Sequence, residues 1–218
     1  MLIFAAADLH GRPERVAAVE THVAAHRPNL LILAGDLSRR MRPDKVAGPL
    51  SRLPVPTFFI RGNSDSRRLE ASFARTSRLQ NLHATRKIFN DVGFVGVGGT
   101  IPLPFHSRLG LAESVLMDRL SDLLKPGDVL VVHPPPYGVR DRVLGRFHAG
   151  SRAVKRLVER RAPALVVCGH IHEQAGIENL GKTVVVNCAM GRSFGGVLIR
   201  YDGQSVPECT ILYELRVT

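Results

Sequence analysis

The sequence of 218 residues contains no tryptophan and only three cysteines. The cysteines are an odd set without a C-x-x-C pair, which excludes a disulfide-stapled miniprotein and favours buried thiols in a reducing cytosol. No apolar run approaches the roughly 18 residues of a membrane span, so no membrane partner is expected. The apolar N-terminal stretch lacks a preceding positive region and is interpreted as a strand rather than a signal peptide. We therefore expect a cytoplasmic protein that folds as one domain over residues 1–218.

Acidic residues are scarce relative to basic ones. Nineteen Asp and Glu stand against 30 Lys and Arg, which gives a net charge of +11. Such a surface attracts phosphate groups or nucleic acid. The arginines are scattered rather than grouped, which favours a general preference for arginine over a nucleic-acid site. Nucleic acid stays open as a partner but is not favoured, and the sequence does not indicate an oligomeric state.

Apolar runs and helical patterns alternate along the first part of the chain. The pattern predicts strands at 2–7, 30–34 and 56–60, and helices at 12–26 and 45–52. Strand–helix alternation of this kind is typical of a parallel sheet with right-handed crossovers.

The second half continues this alternation and then changes. Strands are predicted at 93–98, 129–132 and 164–167, with helices at 112–124 and 152–161. From Ala175 onward, short strands separated by glycine-containing turns predict an antiparallel end to the sheet. The proline-rich stretch 101–106 is predicted to be a surface loop.

Polar side chains follow five of the predicted strands at the point where each strand ends. They are Asp8 and His10, Asp36, Asn63, His133, and His170 with His172. Because the carboxyl ends of parallel strands share one edge of a sheet, we expect these side chains to converge. Each motif alone has an ordinary structural explanation, but all five in this order indicate a binding site.

The donor set indicates a pair of metal ions. Two carboxylates, one amide and four imidazoles exceed the needs of one ion, but suit two ions about 3.5–4 Å apart that share a bridging carboxylate. Mixed nitrogen and oxygen donors favour manganese, iron or zinc over calcium or magnesium, and nickel is also compatible. Such a pair provides a hydroxide for attack at phosphorus.

The ordered set D8-x-H10, G35-D36, G62-N63, H133 and G169-H170-x-H172 resembles the calcineurin-like metallophosphoesterase family over residues 1 to about 190. The stretches 133–138, 148–151 and 168–173 are similar to the branch related to bacterial cyclic-AMP phosphodiesterases. The resemblance implies an α/β fold in which two mixed β-sheets are sandwiched and flanked by helices, in four layers.

The resemblance also implies an assignment of ligands. Asp8, His10, Asp36 and His172 would hold the first ion. Asp36, Asn63, His133 and His170 would hold the second, with Asp36 bridging the two. Asn63 would in addition contact the substrate.

One position departs from the family pattern. The family usually has histidine after the Gly-Asn pair, and that histidine donates a proton to the leaving group. Here the residue is Ser64, and a serine hydroxyl is a poor general acid near neutral pH. His148, in the loop after His133, is the preferred replacement as catalytic acid, ahead of His83 and His106.

Three further residues are candidates for supporting roles. Asp65 is predicted either to orient a metal ligand or to cap the helix at 67–75. Arg140 and Arg142 are candidates for binding a substrate phosphate, although a solvated basic loop is an equally good interpretation of that segment.

The sequence thus predicts a dinuclear-metal phosphoesterase. Hydrolysis of small phosphodiesters, such as cyclic nucleotides, by a metal-bridging hydroxide is favoured over monoester hydrolysis. One alternative is a catalytically weakened metal-binding scaffold that binds a partner, which the serine at position 64 would favour. A nuclease is the other alternative.

Overall fold

The structure is a computed structural model that describes residues 1–38, 43–75, 77–99, 110–191 and 193–213. Five α-helices lie in these ranges: α1 (Pro13–His26), α2 (Asp44–Ser51), α3 (Arg67–Phe73), α4 (Gly110–Leu123) and α5 (Arg152–Arg161). A short 3₁₀ helix covers His172–Gln174. None of the described helices is both long and apolar enough to cross a bilayer.

The described strands form two six-stranded sheets and one two-stranded ribbon. The first sheet has the order β14 (Glu208–Tyr213), β13 (Phe194–Arg200), β1 (Leu2–Ala6), β2 (Leu30–Ala34), β3 (Thr57–Ile60) and β4 (Leu79–Asn81). The second has the order β11 (Gly176–Leu180), β12 (Thr183–Asn187), β10 (Leu165–Cys168), β7 (Val129–Val132), β6 (Val92–Val97) and β5 (Thr85–Phe89). The ribbon pairs β8 (Arg142–Val143) with β9 (Phe147–His148).

The apolar runs are continuous because both faces of each sheet are buried. Along β1, Ile3 and Ala5 face a core shared with the second sheet, whereas Phe4 and Ala6 face the core under α1 to α3. A third core joins the outer face of the second sheet to α4 and α5. The resulting helix–sheet–sheet–helix arrangement confirms the expected α/β architecture with two mixed sheets.

The strands of the C-terminal part differ in one respect from the prediction. A uniformly antiparallel end to one sheet was expected after Ala175, but these strands are divided between both sheets. Strand β12 runs parallel to β10, while β13 and β14 complete the first sheet antiparallel to β1. Apolar patterning identifies such strands but does not specify their partners.

Candidate metal centre

The strand-end side chains lie at an edge where the two sheets meet. Three of these strands, β1, β2 and β3, belong to the first sheet, and β7 and β10 belong to the second. The sheets are joined there by a parallel bridge between Ala7 and Ala189 and by a hydrogen bond from the His170 amide to Asp8 Oδ2, at 2.8 Å. The site is therefore a seam between two sheets rather than the edge of one.

The backbone at this seam is strained. Asp8, His10, Asp36 and His170 all have positive φ, at 61°, 51°, 52° and 73°. Residues other than glycine seldom adopt this left-handed conformation, and such strain concentrates at functional sites. Four of the seven candidate metal ligands therefore have this backbone conformation.

Two glycines allow the close approach of backbone to carboxylate. A Cβ atom on Gly62 would overlap the carboxylate of Asp36, and a Cβ atom on Gly169 would overlap that of Asp8. Glycine is therefore required at these positions for the two carboxylates to keep their places.

Asp8, His10 and His172 form the first group of donors. Asp8 Oδ1 lies 3.1 Å from His172 Nε2 and 3.6 Å from His10 Nε2. The two Nε2 atoms lie 3.2 Å apart. For metal–nitrogen bonds of about 2.0–2.1 Å, neighbouring ligand atoms lie about 3.0–3.4 Å apart, so this triangle has the size that a metal ion requires.

Asp8, Asp36 and His133 form the second group, and their ligand atoms also lie within 4.8 Å of one another. His133 Nδ1 donates to the carbonyl of Ala34 at 2.9 Å, which directs Nε2 toward Asp36 Oδ1 at 3.5 Å. This hydrogen bond fixes the ring as it does in metal-binding histidines. The ring of His170 packs against that of His133, with centroids 5.0 Å apart.

Two buried atoms of the site lack hydrogen-bond partners within the described residues. They are Asp8 Oδ1, which has only the ion-pair contacts to histidine given above, and His133 Nε2. A buried polar atom without a hydrogen bond is costly, and here both atoms face the other donors. The residues therefore fit a bound cation pair.

The electrostatics of the site keep both carboxylates ionised. Burial raises the pKa of Asp8, but His172 and His133 outweigh it, so the pKa lies below its usual value. The same balance, with His133 and the Ser64 amide, lowers the pKa of Asp36. Burial lowers the pKa of His133, but the attraction of Asp36 and Asp8 is stronger and raises it to about 9.

His170 has the opposite shift. Burial and the neighbouring charge of His133 lower the pKa of His170 to about 4. Its imidazole is therefore neutral near pH 7 and has a lone pair available for a metal ion.

Three buried side chains outside the donor set hold the loops in place. Arg15 donates to the carbonyl of Asp8. Asp65 accepts from the amides of Leu37, Ser38 and Gly62 at 2.7–3.0 Å. It therefore ties the loop after Asp36 to the loop before Asn63, rather than capping α3. The pKa of Asp65 is raised by its burial, despite these amides.

Asn187, at the end of β12, is the third. Its Nδ2 donates to the carbonyl of Ile171 at 2.9 Å, and its Oδ1 accepts from the amide of Ala189 at 3.1 Å. It fixes the loop between His170 and His172. Sequence reasoning missed both Arg15 and Asn187. Asn187 could have been found as a polar residue that ends an apolar strand, like the other candidates.

Ser64, at the position where the family usually has histidine, lies inside the site. Its amide donates to Asp36 Oδ1 at 2.8 Å, and its hydroxyl lies 3.5 Å from His10 Nδ1. Asn63 next to it is exposed, and no described contact places its amide near the donors.

His148 lies on the β8–β9 ribbon and is held by a buried acid. Its Nδ1 is 2.6 Å from Asp141 Oδ1, and Asp141 Oδ2 accepts from the amides of Gly138 and Gly150. The ribbon is fastened to the 3₁₀ helix that begins at His172, because the Leu144 amide donates to Glu173 at 3.0 Å. Sequence reasoning missed Asp141, although it is an acid among the arginines of a basic loop.

The remaining candidates lie in different surroundings. Arg140 Nη2 donates to the carbonyl of Ile177 on β11 at 2.6 Å, and Nε lies 3.4 Å from Glu178, so its guanidinium is directed to β11. Arg142 is exposed on the ribbon. Nδ1 of His83 accepts from the amide of Gly98 at 3.1 Å. His106 and the proline-rich loop lie outside the described residues.

Comparison with known proteins identifies the class. A family model for calcineurin-like phosphoesterases matches residues 1–174. The chain therefore belongs to the calcineurin-like phosphoesterase family.

Among individual proteins, an uncharacterized protein of Methanocaldococcus jannaschii is 27% identical over 197 residues, which cover 86% of this chain and 87% of that protein. A protein of Thermus thermophilus has a similar structure, with a TM-score of 0.69 and 20% identity over 96% of this chain and 98% of that one. A structure described as a novel archaeal phosphodiesterase has a TM-score of 0.55 and 14% identity, covering 97% of this chain and all of that one.

Proposed function

We propose that this phosphoesterase is a dinuclear-metal phosphodiesterase that hydrolyses small phosphodiesters such as cyclic nucleotides. One observation carries the proposal. Two buried atoms at the seam, Asp8 Oδ1 and His133 Nε2, form no hydrogen bond with the described residues and belong to the two groups of possible metal ligands. The phosphodiesterase among the structural neighbours supports the preference for diesters.

The ligands divide into two sets. Asp8, His10 and His172 would hold the first ion, with Asp36 shared. His133, His170 and Asn63 would complete the second. Asp36 lies between the two sets, because its Oδ1 is 3.5 Å from His133 and its Oδ2 is 4.0 Å from His10. The mixed donors favour manganese, with iron, zinc or nickel as alternatives.

When bound, the two ions would supply a hydroxide nucleophile and neutralise charge on the phosphate. Attack forms one P–O bond and breaks the bond to the leaving group, whose oxygen then needs a proton. We assign this proton to His148 Nε2, because Asp141 holds the opposite nitrogen and so orients the ring. Ser64 is a poor general acid near neutral pH, and we propose that its hydroxyl, 3.5 Å from His10 Nδ1, orients that ring.

Arg142 is exposed on the same ribbon and is our candidate for binding the substrate phosphate, together with Asn63. Arg140 would have to give up its contacts with Ile177 and Glu178 on β11 before it could bind the substrate phosphate. The three free cysteines, two of them buried, support a reducing compartment, and we place the protein in the cytoplasm.

The proposal is tested by reconstituting the purified chain with manganese and assaying bis-(p-nitrophenyl) phosphate, cyclic nucleotides and a monoester in parallel. Asp36→Asn should lower diester turnover at least a hundredfold and reduce the metal content. Asp91→Asn removes an exposed carboxylate from the β5–β6 turn and is the matched control.

Three outcomes separate the alternatives. Metal binding without turnover of any ester would favour the scaffold that Ser64 suggests. Preferential monoester turnover would contradict the diester assignment. Equal turnover and equal metal content for Asp36→Asn and Asp91→Asn would contradict the proposed metal centre.

A further inference from the structure

We propose that the β8–β9 ribbon and the start of α5 form a binding surface for single-stranded nucleic acid. Four observations support it: the ribbon's attachment beside the metal centre, a strained and exposed apolar tip, an aromatic ring covered by arginine, and uncompensated positive charge. The binding itself is independent of the proposed catalysis. Only the delivery of a phosphodiester to the metal centre rests on the proposed function.

The ribbon is attached beside the donor groups. Strand β8 packs against the 3₁₀ helix whose first residue is His172, and the Leu144 amide is bonded to Glu173 of that helix. A ligand lying on the ribbon therefore extends toward the first group of metal donors.

The tip of the ribbon departs from ordinary turn chemistry. Leu144 and Gly145 both have positive φ, at 51° and 69°, in the turn closed by the Arg146 amide and the Val143 carbonyl. Asn, Asp and Gly favour the first of these positions, and leucine is disfavoured. Leu144 is nevertheless 72% exposed, so burial does not explain it. A leucine in a disfavoured turn conformation, with no burial to offset the strain, indicates a functional constraint on the tip.

Phe147 provides a flat surface at the same tip. The residue is 59% exposed, and the Arg146 guanidinium lies 5.3 Å from the ring centroid. An exposed aromatic ring beside arginine is the arrangement on which unstacked bases bind in single strands. A duplex keeps its bases stacked and offers no face to such a ring.

The charge around the tip is positive and largely uncompensated. Arg142 and Arg146 are exposed and form no ion pair with any other described residue. Helix α5, which begins four residues after the ribbon ends, has Arg152, Lys155 and Arg156 near its N-terminus and no acid in its first turn, although Lys155 pairs with Glu159 at 3.8 Å. The helix dipole disfavours cations there, so a bound phosphate chain would relieve the repulsion.

The test uses the whole chain in EDTA, so that no hydrolysis occurs. Binding of a fluorescein-labelled oligothymidine of roughly 15 nucleotides is measured by anisotropy at several salt concentrations. Phe147→Ala and Phe147→Leu should weaken binding about 5- to 150-fold, the range for loss of one stacked base. Phe147→Tyr, which keeps a flat ring, should retain the affinity.

Arginine variants test the charge. Arg146→Ala should lower the slope of log K against log salt by about 0.7, the value for one phosphate contact in a single strand. Arg200→Ala is the matched control, because Arg200 is exposed on β13 opposite Leu2, at the other end of the first sheet. It should leave both affinity and slope unchanged.

Three results would overturn the proposal. One is an affinity for duplex DNA equal to that for the single strand. Another is an equal loss of oligonucleotide affinity in Arg146→Ala and Arg200→Ala. The third is Phe147-dependent binding to phosphatidylglycerol vesicles without oligonucleotide binding, which would mark the tip as a membrane contact. Turnover of bis-(p-nitrophenyl) phosphate in the separate manganese assay would leave the proposed function intact whichever of these results is found.

Discussion

Asp65 is the residue through which two loops of the metal centre depend on each other. Its carboxylate accepts from three backbone amides, and also from the Ser38 hydroxyl at 3.1 Å. Among the described residues it forms no hydrogen bond with a ligand side chain, so we expect its effect on the site to act through backbone position.

Asp65→Asn is expected to weaken metal binding without removing a ligand. The new NH₂ group would face backbone N–H donors, which leaves at least one of them unsatisfied and costs about 1–3 kcal/mol of stability. Residues that orient ligands typically contribute 10- to 100-fold to metal affinity, and we expect a loss in that range by titration calorimetry. A loss of stability with unchanged metal affinity would show that Asp65 only stabilises the fold.

His133 predicts a proton release on metal binding. Its folded pKa is raised to about 9, so Nε2 carries a proton in the metal-free protein at pH 7.5. A metal ion must displace that proton. Calorimetry in two buffers of different ionisation enthalpy should therefore show about one proton released through His133 at pH 7.5. Metal affinity should rise with pH up to about 9, the pKa of His133, and then level off. Binding that is independent of pH between 7 and 9 would contradict this assignment.

At the scale of elements, the junctions between strands and loops determine the site. Strand β3 ends at Ile60, and two residues later Gly62 packs directly against the Asp36 carboxylate. The junction tolerates no side chain at this point.

Gly62→Ala should therefore disrupt the centre while Gly191→Ala should not. A Cβ atom at Gly62 would displace Asp36, whereas at Gly191 it would meet nothing within 4 Å. We expect Gly62→Ala to lose at least 90% of bound manganese and to melt at a lower temperature. Retention of full metal content, measured by plasma mass spectrometry, would refute the packing argument.

The sequence predicts such junctions better than it predicts contacts between distant loops. Buried strands have unmistakable apolar runs, so the positions of Asp8, Asp36 and His133 at strand ends could be read directly. The pairing of His148 with Asp141, and the direction of the Arg140 guanidinium toward β11, depend on how a loop folds back on itself. No periodicity encodes either contact. The partition of β12 and β13 between two sheets was unpredictable for the same reason.

At the scale of the whole molecule, one core links the two sheets. Ile3 and Ile32 of the first sheet pack in the same cluster as Val131 and Val167 of the second. Neither sheet can expose that face without exposing the other, so the single domain stays a prediction that unfolding can test.

We accordingly expect one cooperative unfolding transition that shifts with metal. Calorimetry should give equal calorimetric and van't Hoff enthalpies for the metal-free chain. Manganese at about 100 times its dissociation constant should add about 2.7 kcal/mol for each ion bound, and each such increment raises Tm by about 5–10 °C for a chain of this size. Two separate transitions, or a metal shift confined to one of them, would show two independent units.

The order of strands along the chain has a consequence for synthesis on the ribosome. The entire second sheet comes from one continuous stretch of the chain, from β5 to β12. In the first sheet, by contrast, β1 pairs with the distant strand β13, where Arg200 lies opposite Leu2. Contacts between such distant positions close late. During translation, the free edge of β1 therefore stays open until β13 has emerged. In that interval the unpaired edge of β1 is exposed to pairing with the wrong strand.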